Sequence, residues 1–198
     1  MRRFVVIGHR ATTSPDFSLD DLAGSTGRLD ILLRCINSAF FLSHSLREDV
    51  EMHLILQGPP NPPKTIRMVG SELKYLNPDE RSTGALIRTA LSAKANGETK
   101  ASPGIYVSSR SYSDVISILA KQSDIYYLKE DGHDIRRLPS FEEDVTFVLG
   151  DDRDLTEEEE SVLAKYEPMK VSLGIKSLHA DHCIIIVHNE LDRRSSQV

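Results

Sequence analysis

Val145-Thr146-Phe147-Val148-Leu149-Gly150 and Met169-Lys170-Val171-Ser172-Leu173-Gly174 decide how the chain is read. Each is a short apolar run closed by Leu-Gly, and each leads into a helix signal. After the first, Thr156 with Glu159 forms a capping box for a helix reaching about Tyr166. After the second, a helix is expected over 179–193. Ile125-Tyr126-Tyr127-Leu128 is a third run of the same kind, preceded by a helix expected over 114–122. Strands alternating with helices predict a mostly parallel α/β sheet flanked by helices, with ligands at the carboxyl ends of the strands.

The pattern extends toward the N-terminus. Phe4-Val5-Val6-Ile7 closed by Gly8 predicts a buried first strand. Leu29, Leu32, Leu33, Ile36 and Phe40 recur at helical spacing and predict a long amphipathic helix over 29–46. Strands are expected over 52–56, 66–69 and 105–107, the first stopped by the proline-rich Gly58-Pro59-Pro60-Asn61-Pro62-Pro63. Asn77 as cap, Pro78 at the first position and Glu80 at the third predict a further helix, ended by Asn96-Gly97. No repeat or linker divides the chain, so one domain over 1–198 is expected.

Composition narrows the classes. The chain has 198 residues, 39% hydrophobic and 27% charged, enough to bury a core without staples. Its two cysteines, Cys35 and Cys183, cannot form a disulfide framework, and a reducing cytoplasm is expected. The longest apolar run, 183–187, is far too short to span a membrane. The first eight residues lack a long apolar region and a small-residue cleavage site, so no signal peptide is expected. With 24 basic and 30 acidic residues the net charge is −6, which on its own argues against nucleic acid. Binding uses local patches, however, and Arg28, Arg34 and Arg81 lie on or beside two neighbouring helices.

Several features carry competing readings. A single Leu-Gly ending is a strand that stops at a turn; two within the last fifty residues point equally to a backbone cradle for a ligand. No Gly-x-Gly-x-x-Gly or Walker pattern is present. The acidic run 151–160 lacks the spacing of a calcium loop and suits the positive end of a helix. His179 and His182, with Cys183, have helical spacing for two zinc ligands, yet no third or fourth ligand is evident, and no metal is expected. Aromatics are 6% with no Trp, too few for a platform stacking many bases.

Thr26-Gly27-Arg28-Leu29-Asp30, Asn77-Pro78-Asp79-Glu80-Arg81-Ser82, Phe147-Val148-Leu149-Gly150-Asp151 and Ser172-Leu173-Gly174 stand in this order, followed by the Cys183 helix. Together they resemble the archaeal tRNA pseudouridine N1-methyltransferases of the SPOUT superfamily, over essentially the full length. The resemblance implies a SPOUT-type α/β fold with a C-terminal trefoil knot, the knot and cofactor region spanning about 124–193. It also implies a cytoplasmic homodimer joined through the knot-region helices. S-adenosyl-L-methionine is the implied cofactor and N1 of pseudouridine 54 in the tRNA T loop the implied methyl acceptor. Carried over, Leu128, Gly150, Ser172, Leu173, Gly174 and Cys183 are cofactor contacts, Cys183 by packing alone. Arg28, Arg34 and Arg81 are expected at RNA phosphates. Asp30, at the helix start beside basic residues, is a candidate acceptor for the N1 proton; an ordinary first-turn acid is the other reading. Three alternatives stay open: a ribosomal RNA pseudouridine N1-methyltransferase, a non-catalytic RNA-binding or ribosome-assembly protein of the same fold, and a metal-dependent hydrolase built on the final-helix histidines.

Overall fold

Phe4, Val5, Val6 and Ile7 are all fully buried, which places the first strand, β1 (Arg2–Gly8), in the middle of a sheet covered on both faces. The molecule, a computed structural model, is described for residues 1–94 and 97–195. Alternation along β1 sends its side chains to two cores. Phe4 and Val6 join the larger core, built with α1 (Leu29–Phe40), α2 (Glu80–Ser92) and α5 (Ala180–Ser195). Val5 and Ile7 join a smaller one, built with α3 (Tyr112–Leu119) and α4 (Glu157–Ala164). Each such fully buried large apolar side chain contributes about 1.5–3 kcal/mol.

The remaining strands are β2 (Val50–Leu56), β3 (Lys64–Val69), β4 (Thr99–Ser102), β5 (Ile105–Ser108), β6 (Asp124–Asp134), β7 (Val145–Gly150) and β8 (Met169–Ser172). All eight form one sheet in the order β4-β5-β3-β2-β1-β7-β6-β8. The five strands β2-β1-β7-β6-β8 run parallel, so the carboxyl ends of β6, β7 and β8 emerge side by side. β3, β5 and β4 are antiparallel, which makes the sheet mixed at that edge.

Five expectations need correction. The first helix stops at Phe40, short of residue 46: the Phe41 amide closes on Asn37 O, and Arg47 N returns to Phe40 O. The Arg47 guanidinium is drawn off to Asp192 of α5 at 2.5 Å, which the run of apolar spacing could not reveal. The α2 cap is Asp79 rather than Asn77, its carboxylate accepting from Ser82 N at 2.8 Å. α2 ends at Ser92, and Asn96, expected to end it, lies outside the described residues. Finally, β6 continues past Leu128 to Asp134 through an irregular register against β8, and β4, with no alternating pattern, was not expected at all. The Thr156–Glu159 capping box is present in full, and a second one, Ser111 with Asp114, starts α3.

Candidate active site

Leu128 stands where the register of β6 breaks against β8, beside the ends of β7 and β8, and glycine at strand ends lets a ligand come close to the backbone. At this place lies a cavity of about 480 Å³, within the usual range for a small-molecule site. Leu128, Leu149, Gly150, Leu173 and Gly174 line it, with Val171, Ala180 and Cys183 completing an apolar wall. Leu128, Leu149–Gly150 and Leu173–Gly174 thus meet in one pocket.

Its glycines are required. A Cβ on Gly150 would lie 1.9 Å from Arg153 O, so no other residue allows that turn. Gly174 has a φ of 146°, and a Cβ there would meet nothing within 4 Å, leaving open space beside the backbone. Ser172 is not in the wall. Its hydroxyl donates to Gly174 O at 3.0 Å and accepts from Gly174 N at 3.2 Å, so it shapes the turn that exposes Gly174. The Cys183 thiol, half-buried and pushed up to about 11 by that burial, is no nucleophile at neutral pH.

Arg28 and Arg34 stand in the cavity wall, and Asp30 does not. Gly27 and Arg28 both adopt left-handed backbone, with φ of 65° and 73°. This turn folds the Arg28 guanidinium back onto Asp30, Nε and Nη2 donating to its two oxygens at 3.0 and 3.1 Å. Arg34, one turn along α1, donates to Asp30 Oδ2 at 2.9 Å. Burial alone would raise the Asp30 pKa, but the hydrogen bonds from Arg28 and Arg34 outweigh it and hold the group below the usual carboxylate range. A carboxylate so held is a weak proton acceptor and a firm anchor for two cations. Arg81 lies apart, exposed on α2 and paired with Asp20 at 2.9 Å.

Other wall residues escaped the reading of the sequence. Lys129 and Glu130 enter because β6 runs on beyond Leu128, and Lys176, Ser177 and His179 because the segment after Gly174 folds over the opening. A hydrogen bond from Ser177 holds the Glu130 carboxyl below its ordinary range, tying the two sides together. No local motif marks these residues. His179, Asp181 and His182 bring their ligand atoms within 4.8 Å of one another, the two imidazoles stacked 5.2 Å apart. His188 takes no part in that group: its Nε2 donates to Ala39 O at 3.0 Å, deep between α1 and α5.

A cavity with a leucine-lined wall, glycine backbone beside it and charged side chains around it suits a flat heteroaromatic base and an attached polar chain, the shape of S-adenosylmethionine. The guanidiniums of Arg28 and Arg34 at the same opening suit a phosphate-bearing second substrate.

Comparison with known proteins agrees with this geometry. Residues 1–196 match the family described as "Putative SAM-dependent RNA methyltransferase". The tRNA (pseudouridine(54)-N(1))-methyltransferase of Methanocella arvoryzae is 53% identical over 98% of this chain and 100% of its own. That of Methanococcoides burtonii is 48% identical over 99% and 98%. The fold is shared with crystalline Nep1 of Archaeoglobus fulgidus bound to S-adenosylhomocysteine, with a TM-score of 0.67 over 98% of this chain and 99% of that one at 16% identity. Fold, pocket and likeness converge: the chain belongs to the family of S-adenosylmethionine-dependent RNA methyltransferases that includes the archaeal tRNA (pseudouridine(54)-N(1))-methyltransferases.

Proposed function

We propose that this protein transfers the methyl group of S-adenosylmethionine to N1 of pseudouridine 54 in the T loop of tRNA. The observation that carries the proposal is the meeting of Leu128, Leu149–Gly150 and Leu173–Gly174 in one cavity that also holds Arg28 and Arg34. Full-length relatives of about half-identical sequence, all named for this reaction, support the same substrate.

When bound, S-adenosylmethionine supplies an electrophilic sulfonium methyl. The chain's own task is alignment, since an in-line displacement needs its two partners held in contact along one axis. Leu128, Leu149 and Leu173 would hold the adenine by apolar contact, and the backbone at Gly150 and Gly174 would be the polar partner for the base. Arg28 and Arg34 hold RNA phosphates at the opening, and Asp30 keeps both guanidiniums aimed there. Arg81 extends the basic surface along α2. Pseudouridine differs from uridine in carrying a free N1–H, so the enzyme distinguishes the two bases at the reacting atom itself; as the N1–CH3 bond forms, S-adenosylhomocysteine leaves and the N1 proton passes to water.

One domain over 1–198, with a trefoil knot over about 124–193, belongs to this reading. Its support is that β8 pairs with β6 across from β7, with the chain of the last helix packed back on α1. A cytoplasmic homodimer belongs to it as well. Ile175, Leu178 and Ile185, apolar side chains 93%, 38% and 49% exposed on the last loop and α5, offer the surface for it. No described helix is long and apolar enough to cross a membrane.

The test is mass spectrometry of RNA incubated with protein and isotopically labelled cofactor. Transfer RNA carrying pseudouridine 54 gains one labelled methyl on that base, and the same transcript with uridine 54 gains none. Labelling of ribosomal RNA fragments in place of tRNA would assign the related ribosomal reaction instead.

A further inference from the structure

One buried titratable group has no part in the scheme above. His9, directly after β1, lies between two carboxylates: its Nδ1 is 2.8 Å from Asp151 Oδ1 and its Nε2 is 3.1 Å from Glu159 Oε2. Both carboxylates and the ring are almost wholly enclosed, with side-chain exposures of 1%, 9% and 8%. A carboxylate oxygen only accepts, so both ring nitrogens must carry a proton to satisfy this geometry. The ring is an imidazolium. Hydrogen bonds from it to Asp151 and Glu159 raise its pKa to about 9 against the opposing cost of burial.

What the imidazolium holds is the wall of the cavity. Asp151 follows Gly150 directly, and its carboxylate also accepts from the backbone amides of His9 at 3.0 Å and Arg153 at 3.2 Å. Glu159 caps α4, accepting from Thr156 N at 2.8 Å and from Gln57 Nε2 at 2.9 Å. One ring therefore ties the ends of β1 and β2 to the 150–154 segment and to the start of α4. We infer that His9 is a positioning residue for the methyl donor: its imidazolium, clamped between Asp151 and Glu159, fixes the 150–154 segment against which the donor binds.

Loss of the proton breaks the clamp on one side. Neutral imidazole has one N–H, so one carboxylate would face a ring lone pair while both stay negative and enclosed. Among the described residues no other cation hydrogen-bonds to Asp151 or Glu159. Around them, Arg10 is paired with Asp152, and Glu160 with Lys129 and the Tyr127 hydroxyl. The enclosed hydroxyl of Tyr112, on α3, is pushed up by its burial and stays neutral. The same proton therefore serves the fold and the pocket.

The inference rests on the cofactor reading, and two measurements with S-adenosylhomocysteine as the probe separate them. In the first, the ring carbons of isotopically labelled histidine are followed by NMR against pH, with His9 assigned through its backbone. Binding that depends on the imidazolium must in return stabilise it, so saturating probe raises the His9 midpoint by about one pH unit, equivalent to about tenfold in affinity. In the second, His9→Gln raises the calorimetric Kd about tenfold while kcat at saturating donor changes less than about threefold. If that variant does not fold, the titration of the unaltered protein decides alone. A midpoint unmoved by bound probe, or a folded His9→Gln with unchanged Kd, overturns the role given to His9. Failure of the unaltered protein to bind the probe overturns the cofactor reading on which it rests.

Discussion

Asp30 shows how position along a helix misleads until its partners are known. An acid in a first helical turn beside arginines reads equally as a proton acceptor or as a favourable end charge. In the fold its two oxygens are both occupied, by Arg28 and by Arg34, and it is 5% exposed. Asp30→Asn distinguishes anchor from base. As an anchor, the asparagine leaves the single-turnover rate at saturating RNA within about threefold and weakens RNA binding by about tenfold, since one of several guanidinium contacts loosens. As the base, it would leave RNA affinity intact and lower the saturated rate by roughly 100-fold or more. Rapid-quench measurement across a range of RNA concentrations reads both quantities. At the same scale, Ser172, expected from the family motif as a cofactor contact, hydrogen-bonds both backbone groups of Gly174.

Among the elements, α5 packs through a histidine whose titration can be measured. His188 joins it to α1, Nε2 donating to Ala39 O while Nδ1 accepts from Arg2 at 3.3 Å. Burial, aided by Arg47 and Arg2, pushes its pKa down to about 3 from an ordinary 6.5. The unfolded chain therefore takes up a proton that the folded one refuses, and stability falls as pH drops below about 6.5, by roughly 1.4 kcal/mol per unit. His9 has the opposite sign: raised to about 9, its contribution is complete below about 6.5 and declines as pH rises toward 9. Urea unfolding between pH 5 and 9 should give a maximum near pH 6.5. The carboxylates held low, Glu159 among them at about 2, lose their contribution only below about 4.5, so the window above that isolates the histidines. His188→Gln should flatten the acid limb alone; an unchanged limb would remove His188 from this account.

Much of this element pattern is legible in the sequence. The β1 and β7 runs and the Thr156–Glu159 box state their structure locally, because burial on both faces demands apolar runs and a cap needs only four residues, and β8, half-exposed at the sheet edge, is marked by its Leu-Gly close. The missing parts are those decided at long range. The early end of α1 comes with a turn that brings Leu46 beside Phe41 and returns the Arg47 amide to Phe40 O, the length of β6 comes with its pairing to β8, and the edge strand β4 is held by β5 rather than by its own pattern.

For the whole molecule, the net charge of −6 gave the wrong impression of the partner because charges are already paired inside it. Asp151 and Glu159 are consumed by His9, and Asp152 by Arg10, while Arg28 and Arg34 both bind Asp30, Arg34 also lying 3.7 Å from Glu80, and remain at the opening. The site itself divides the same way. Leu128, Gly150, Leu173, Gly174 and Cys183 could be read off as strand ends and a helix face, whereas Lys129, Glu130, Lys176 and His179 join the wall only through the folding of the segments that follow. The central claim is that Leu128 and the ends of β7 and β8 make one site for the methyl donor. A crystal structure of the protein with S-adenosylhomocysteine tests it most directly. The account predicts the adenine between Leu128, Leu149 and Leu173, with Gly150 and Gly174 backbone within hydrogen-bond reach. Density for the ligand in any other place on the chain, with this cavity empty, would contradict it.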